Sequence, residues 1–267
     1  MTGLKGASGG FFAPAARLAR LSWDWAGRAV DGLLFPPFCP VCDAETGGPA
    51  FCDDCRAELL GARGLACPRC AMPVGPHADL LGGCSECRGR SLGFDRAIAL
   101  GPYQGPIRHL CLALKHEPNA WIARWLAELV VEGCSEAISK ELAAEPGPPA
   151  WIAPIPLHWR RRMVRGYNQA EALAEAAARP LALKSRRLLR RISWTPALAR
   201  IGRSERTKIM QEAFRVARPA GLAGRTVLLV DDILTTGATC GAAARALKRA
   251  GASRVVVVVV ARAEGKP

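Results

Sequence analysis

Two adjacent carboxylates, Asp231 and Asp232, stand at the end of the apolar run Val227–Val230, and the small residues Thr235, Thr236, Gly237, Ala238 and Thr239 follow almost at once. Consecutive N–H groups at a helix N-terminus, among side chains small enough to permit close approach, form an anion site. Paired carboxylates beside such a site suit vicinal hydroxyls or a divalent cation. The two together describe a sugar-phosphate site. A nucleotide P-loop would need GxxxxGK[ST], and no Lys lies between Asp231 and Arg245. The GxGxxG turn of a dinucleotide fold is also missing.

A second set of chemical residues lies toward the N-terminus. Cys39/Cys42, Cys52/Cys55, Cys67/Cys70 and Cys84/Cys87 form four CxxC pairs, with nine, eleven and thirteen residues between successive pairs. One CxxC knuckle offers two thiolates along one edge of a tetrahedron, and two knuckles close a four-cysteine zinc site with no open position. Four knuckles give two structural Zn2+ sites. Sequential pairing joins Cys39, Cys42, Cys52 and Cys55 in one and Cys67, Cys70, Cys84 and Cys87 in the other; an interleaved pairing satisfies the spacing equally. Redox CxxC chemistry would call for a thioredoxin-like βαβ context, which the surroundings lack. Cys111, Cys134 and Cys240 stand outside the array and read as small buried hydrophobes.

A third cluster is cationic: His158-Trp-Arg-Arg-Arg-Met-Val-Arg165 places Arg160, Arg161, Arg162 and Arg165 just past an apolar strand. Guanidinium forks suit phosphate and pyrophosphate better than ammonium groups do. The alternative is a basic surface turn.

These groups need elements to hold them. Val227–Val230 and the six valines Val255–Val260 are unalternating runs, as in parallel strands buried on both faces. The alanine-rich stretch 242–250 between them reads as the crossover helix of a βαβ unit, with Gly251 suited to its C′ position. Residues 92–100 read as a first strand ended by a turn at 101–103, and Trp151–Pro156 as a strand broken by prolines. Ile107, Leu110, Cys111 and Leu114, then Trp121 to Val130, recur at helical spacing, and Asn168 can cap a helix over 170–178. Near the N-terminus, Leu18, Leu21, Trp25, Ala29 and Leu33 form an amphipathic stripe over 15–34, suited to packing on the protein or to lying on a membrane surface.

With these residues in view, the segment VLLVDDILTTGAT closely resembles the phosphoribosyl pyrophosphate (PRPP) motif of type I phosphoribosyltransferases. PIPLHWRRRMVRGYNQA resembles the signature of the ComF (competence protein F) family, also called ComF/GntX. Members join a double zinc ribbon to a phosphoribosyltransferase domain. The resemblance implies an α/β type I phosphoribosyltransferase fold, a parallel sheet flanked by helices, behind a small N-terminal double zinc ribbon. It implies an extension over 1–35, ribbons over 36–92 and the transferase-like domain over 93–267. Asp231 and Asp232 would contact the ribose hydroxyls as the catalytic pair, Thr235–Thr239 would hold the 5′-phosphate, and Mg2+ would accompany PRPP. One departure stands out: the family commonly has Gln where this chain has Leu198 and Asn where it has Ile209, in the segment expected to form the hood over the acceptor.

The chain of 267 residues carries a formal net charge of +14. Two filled four-cysteine sites, each a Zn2+ with four thiolates, would lower this only to about +10. That excess favours phosphate-rich partners. No apolar stretch approaches the ~20 residues of a membrane span, and charges interrupt any signal-peptide core in residues 1–35. A reducing cytoplasm is the expected compartment. With the resemblance, which implies an association with DNA uptake, two functions of different class follow: transfer of a phosphoribosyl group to an unknown acceptor, or handling of single-stranded DNA, alone or with the DNA-uptake machinery, by a protein whose pocket binds ligand without turnover. In a third, the ribbons act solely as a docking scaffold.

Overall fold

The computed structural model describes residues 38–46, 51–116, 121–144, 146–192, 213–217 and 221–264. The expected helix over 15–34 and the hood segment with Leu198 and Ile209 lie outside these. The chain divides into two compact units, Met1–Cys52 and Asp53–Pro267.

In the first unit, Phe38 and Glu45 form an antiparallel bridge around the Cys39–Cys42 knuckle. The Cys39 N–H donates to Ala44 O at 2.8 Å, the Asp43 N–H donates to Cys39 O at 2.9 Å, and Asp43 takes φ 60°. The second unit repeats this hairpin. Ala66 bridges Pro73, Cys67 N–H donates to Met72 O at 2.8 Å, Ala71 N–H to Cys67 O at 2.9 Å, and Ala71 has φ 57°.

The rest of the second unit is built on a five-stranded sheet. Its strands are β1 (Arg96–Pro102), β2 (Trp151–Pro154), β3 (Lys184–Ser185), β6 (Thr226–Leu234) and β7 (Arg254–Arg262), in the order β1-β7-β6-β2-β3. Every pairing is parallel. A separate antiparallel pair joins β4 (Leu189–Arg191) to β5 (Phe214–Val216). The helices are α1 (Asp53–Gly61), α2 (Gly105–Ala113), α3 (Ile122–Gly133), α4 (Ser135–Leu142), α5 (Trp159–Arg165), α6 (Gln169–Ala178) and α7 (Ala238–Arg249).

The valine run explains why the sheet is covered on both sides. Side chains alternate between faces along a strand. Val255, Val257 and Val259 join Val227, Leu229 and the α7 alanines in one core. Val258 and Val260 meet Leu228, Ile138, Leu173 and Ala177 on the other face, under α3, α4 and α6. Both registers are therefore apolar, which is why no alternation shows in the sequence. Glu141, 4% exposed on α4, clamps the starts of β1 and β7, accepting from Arg96 Nε at 2.9 Å and Arg254 Nη2 at 2.5 Å.

The expected βαβ unit is present as β6-α7-β7. At its C-terminus Gly251, with φ 106°, donates to Lys248 O at 3.0 Å and Ala252 to Leu247 O at 3.1 Å, a Schellman motif with glycine at C′. Several boundaries differ from the sequence reading. β1 runs on through Gly101 and Pro102, because these pair with Ala261 and Arg262 of β7. The arginine-rich segment, for which the turn was the alternative reading, forms a short helix. β6 extends to Leu234 because β7 offers partners as far as Arg262.

Candidate functional site

That longer β6 changes how the acid pair is held. Asp231 pairs with Val259 and Ile233 with Ala261, so both acids lie inside the C-terminal half of the strand, not beyond its end. By strand alternation Asp231 shares the side of Val227 and Leu229, toward α7, and Asp232 the opposite side. Neighbouring charges agree with this. Asp231 is the stronger acidic influence on Cys240 of α7, and Asp232 the one acting on Cys111 of α2. Burial first, and then these charges, hold both thiols well above their ordinary values, in the protonated form expected of small buried hydrophobes.

The backbone folds back on both acids. Asp232 N–H donates to Asp231 Oδ1 and Ile233 N–H to Asp232 Oδ1, each at 2.9 Å. Asp231 keeps some accessible surface. Burial of its carboxyl, followed by the Asp232 charge, pushes it well above the usual carboxylate range. Such a carboxyl is held short of partners for its charge, the state expected of a site that receives hydroxyls or a cation.

β6 hands over to the small-residue loop at Thr235. Gly237 is the N-cap of α7 with φ 77°, and Ala238 and Thr239 already belong to the helix's first turn. Thr236 Oγ1 accepts from Ala238 N–H at 3.4 Å. All five loop residues thus sit at the N-terminus of a twelve-residue helix, two residues beyond the acids. A helix terminus with small side chains is suited to an anionic group.

The arginines are distributed differently from the expectation. All four lie on α5, and the side chains of Arg160 and Arg161 fall outside the described part. Arg162 is half exposed and pairs with Glu171 at 3.4 Å. With Arg186, Arg187, Arg190 and Arg191 it lines an open groove of about 870 Å³ beside β4. Arg186 and Arg225 flank the Trp151 ring, 5.7 and 4.5 Å from its centroid. Arg191 is the cation whose charge acts on Asp231, drawing its carboxyl down against the larger effects that raise it. Sequence reasoning assigned Arg191 no role of its own; the β4–β5 pairing, which stacks it 5.6 Å over Phe214, explains its placement.

The Tyr167-Asn168 part of the arginine segment is structural. Asn168, 4% exposed, caps α6 by accepting from Ala170 N–H at 3.2 Å, and its Nδ2 donates to Ile155 O at 3.1 Å. Tyr167 Oη donates to Leu114 O, just past the end of α2.

The second cysteine set fits zinc. The sulfurs of Cys67, Cys70, Cys84 and Cys87 lie within 4.8 Å of one another and are all buried. Individual separations are 3.7 Å for Cys67–Cys87, 3.5 Å for Cys70–Cys84 and 3.8 Å for Cys84–Cys87. Zn–S bonds of about 2.3 Å in a tetrahedron place sulfurs about 3.8 Å apart, whereas a disulfide needs about 2.05 Å. Cys67 is lowered to about 7: burial opposes this, but the N–H groups of Cys70, Arg69 and Cys84 outweigh it. In the first unit the sulfurs of Cys39, Cys42 and Cys52 also lie within 4.8 Å, Cys42 and Cys52 being 3.6 Å apart. Cys55 completes the Cys52 knuckle along the chain. Sequential pairing is therefore the one the structure adopts.

The fold and these residues define a phosphoribosyl transferase-domain protein carrying a double zinc ribbon. Comparison with known families agrees: residues 195–267 match the phosphoribosyl transferase domain and residues 30–88 the double zinc ribbon domain. The chain is similar to competence protein F of Haemophilus influenzae, 27% identical over 79% of this chain and 96% of that one. It is 29% identical to the DNA utilization protein YhgH of Salmonella typhi, over 87% and 98% of the two chains. With competence protein ComFC of Bacillus subtilis the figures are 28%, 75% and 78%. The similarity to these three proteins thus runs through both domains and most of the chain. Among the described residues no helix is long and apolar enough to cross a membrane.

Proposed function

We propose that this protein binds PRPP with Mg2+ and transfers the phosphoribosyl group to an acceptor, releasing pyrophosphate. The observation that carries this reading is the acid pair near the C-terminal end of β6, a few residues before the glycine-capped N-terminus of α7. The 5′-phosphate rests on the N–H groups from Thr235 to Thr239. Asp231 and Asp232 hold the ribose hydroxyls and offset positive charge as the C1–O bond to pyrophosphate breaks and the acceptor bond forms. Carboxylates that retain some solvent access, together with substrate phosphate oxygens, are an ordinary Mg2+ donor set, and the ion would neutralise departing pyrophosphate. Arg191 supplies positive charge near Asp231, while Arg160, Arg161, Arg162 and Arg165 remain candidates for the pyrophosphate.

PRPP with Mg2+ at a hundredfold excess over Kd adds about 2.7 kcal/mol of stability. A clear rise in melting temperature is expected for the wild type, absent in Asp232→Asn. Absence of the rise in the wild type sinks the reading.

A second reading, in which the protein handles single-stranded DNA, draws support from the five-arginine groove beside β4 and from the names of the relatives. An open basic channel with an aromatic at its edge suits a phosphodiester strand. Affinity for an oligonucleotide should fall steeply with salt, and Arg187→Glu with Arg190→Glu should flatten that slope. A flat response in the wild type counts against it.

A further inference from the structure

The second zinc ribbon and the phosphate loop share one side chain. Arg262, the last residue of β7, is 6% exposed. Its Nε donates to Cys70 O at 2.9 Å, and its Nη1 donates to Leu234 O at 2.9 Å and Thr235 O at 2.5 Å, with Ala263 O also within reach. Cys70 is one of the four buried cysteines; Leu234 and Thr235 are the hinge from β6 into the loop. Among the described residues Arg262 makes no ion pair. A cavity of only about 10 Å³ separates the two parts, lined by Cys70, Cys87, Thr235, Thr236, Gly237 and Arg262. Phe94 underlies the same loop, 3.5 Å from where a Gly237 Cβ would stand.

We propose that Arg262 is a positioning residue that fixes the phosphate loop against the second cysteine set, so that metal held by Cys67, Cys70, Cys84 and Cys87 governs the loop's readiness for ligand. Besides that of the adjacent Ala263, three carbonyls converge on one planar fork. Two of them open the loop, and the third is a bond away from the Cα of a metal-binding residue. A knuckle that loses its metal loses the constraint that fixes Cys70 O, and the fork then holds the loop at one end only. By reciprocity, ligand on the loop favours metal retention in this set. The inference rests on the PRPP reading for the identity of the ligand, but the loop's order can be read without any ligand.

The test compares the wild-type chain, Arg262→Lys, Cys84→Ser and Cys42→Ser. Amide hydrogen exchange is measured across 235–239, zinc content by metal analysis, and PRPP·Mg2+ affinity by calorimetry. Arg262→Lys keeps the charge but not the fork. It should retain both zinc ions and its overall unfolding transition, exchange faster at 235–239, and bind PRPP about tenfold more weakly. Cys84→Ser should speed exchange at the same amides, Cys42→Ser should leave them unchanged, and the double variant Arg262→Lys/Cys84→Ser should show no further acceleration over either single change. Unchanged exchange at 235–239 in Arg262→Lys overturns the proposal, and this variant decides the matter should Cys84→Ser fail to fold. If the wild type binds no PRPP, the PRPP reading fails while the exchange comparison still decides the coupling.

Discussion

Gly237 offers a sharp test of how the phosphate loop is built. Its φ of 77° lies in the left-handed region, and a Cβ added there would meet Phe94 Cε1 at 3.5 Å and Cζ at 3.6 Å, ordinary contact distances. Space therefore permits a side chain, while backbone conformation resists one. For an L-residue the left-handed region costs roughly 1–2 kcal/mol, least for Asn. Gly237→Asn should be mildest, Gly237→Ala should lose about 1 kcal/mol, and Gly237→Val about 2 kcal/mol or more, since β-branching disfavours this region further. In a domain of this size each kcal/mol lowers the melting temperature by about 2–4 °C. If the backbone relaxes instead, the cost moves to binding, where 1–2 kcal/mol is a factor of about 5–30 in PRPP affinity. Thermal unfolding and PRPP·Mg2+ titration of the three variants give the ranking. An Ala variant matching the wild type in both, with Val alone impaired, would refute the reasoning, since space and not backbone angle would then be limiting.

The raised carboxyl of Asp231 has a pH signature. The folded free protein keeps that proton to higher pH than the unfolded chain does, so from about pH 4 up to the raised folded value its contribution to stability falls as pH rises. Asp231→Asn removes this dependence: melting curves should show the ligand-free variant more stable than wild type at pH 7, the gain shrinking toward pH 4, with PRPP binding lost. At the opposite end of the sheet, Glu141→Leu leaves Arg96 and Arg254 without their shared carboxylate. With Arg96 39% exposed at its side chain, the cost should sit near the low end for a broken buried pair, about 3 kcal/mol by urea denaturation.

The parts of this fold legible in the sequence are those governed by local rules. The buried strands announced themselves through unalternating Val and Leu, Asn168 through its capping chemistry, and Gly251 through its place after an apolar helix. Four CxxC spacings carried the cysteine clusters, though not their pairing, which depends on how the chain returns on itself. What escaped was set by partners distant in sequence. The reach of β6 beyond Val230 depends on the length of β7, so the acids entered the strand instead of following it. Arg191 and Arg262 have no role that spacing assigns, and each matters because of what other strands bring beside it. The helix over Ser135–Leu142 has few apolar residues to mark it; its main anchor, Glu141, is a buried charge whose partners lie on two strands.

The hairpin that appears at Cys39 and again at Cys67 is one backbone solution used in two settings. At Cys67 all four thiols are buried, whereas Cys42 is exposed and Cys52 partly so. An incoming chelator or competing metal must touch a sulfur before it can displace what is bound, and only the first set, through Cys42 and in part Cys52, presents one to solvent. Zinc held by the first set should therefore pass to a chelator sooner than zinc held by the second, whose four thiols are all shielded.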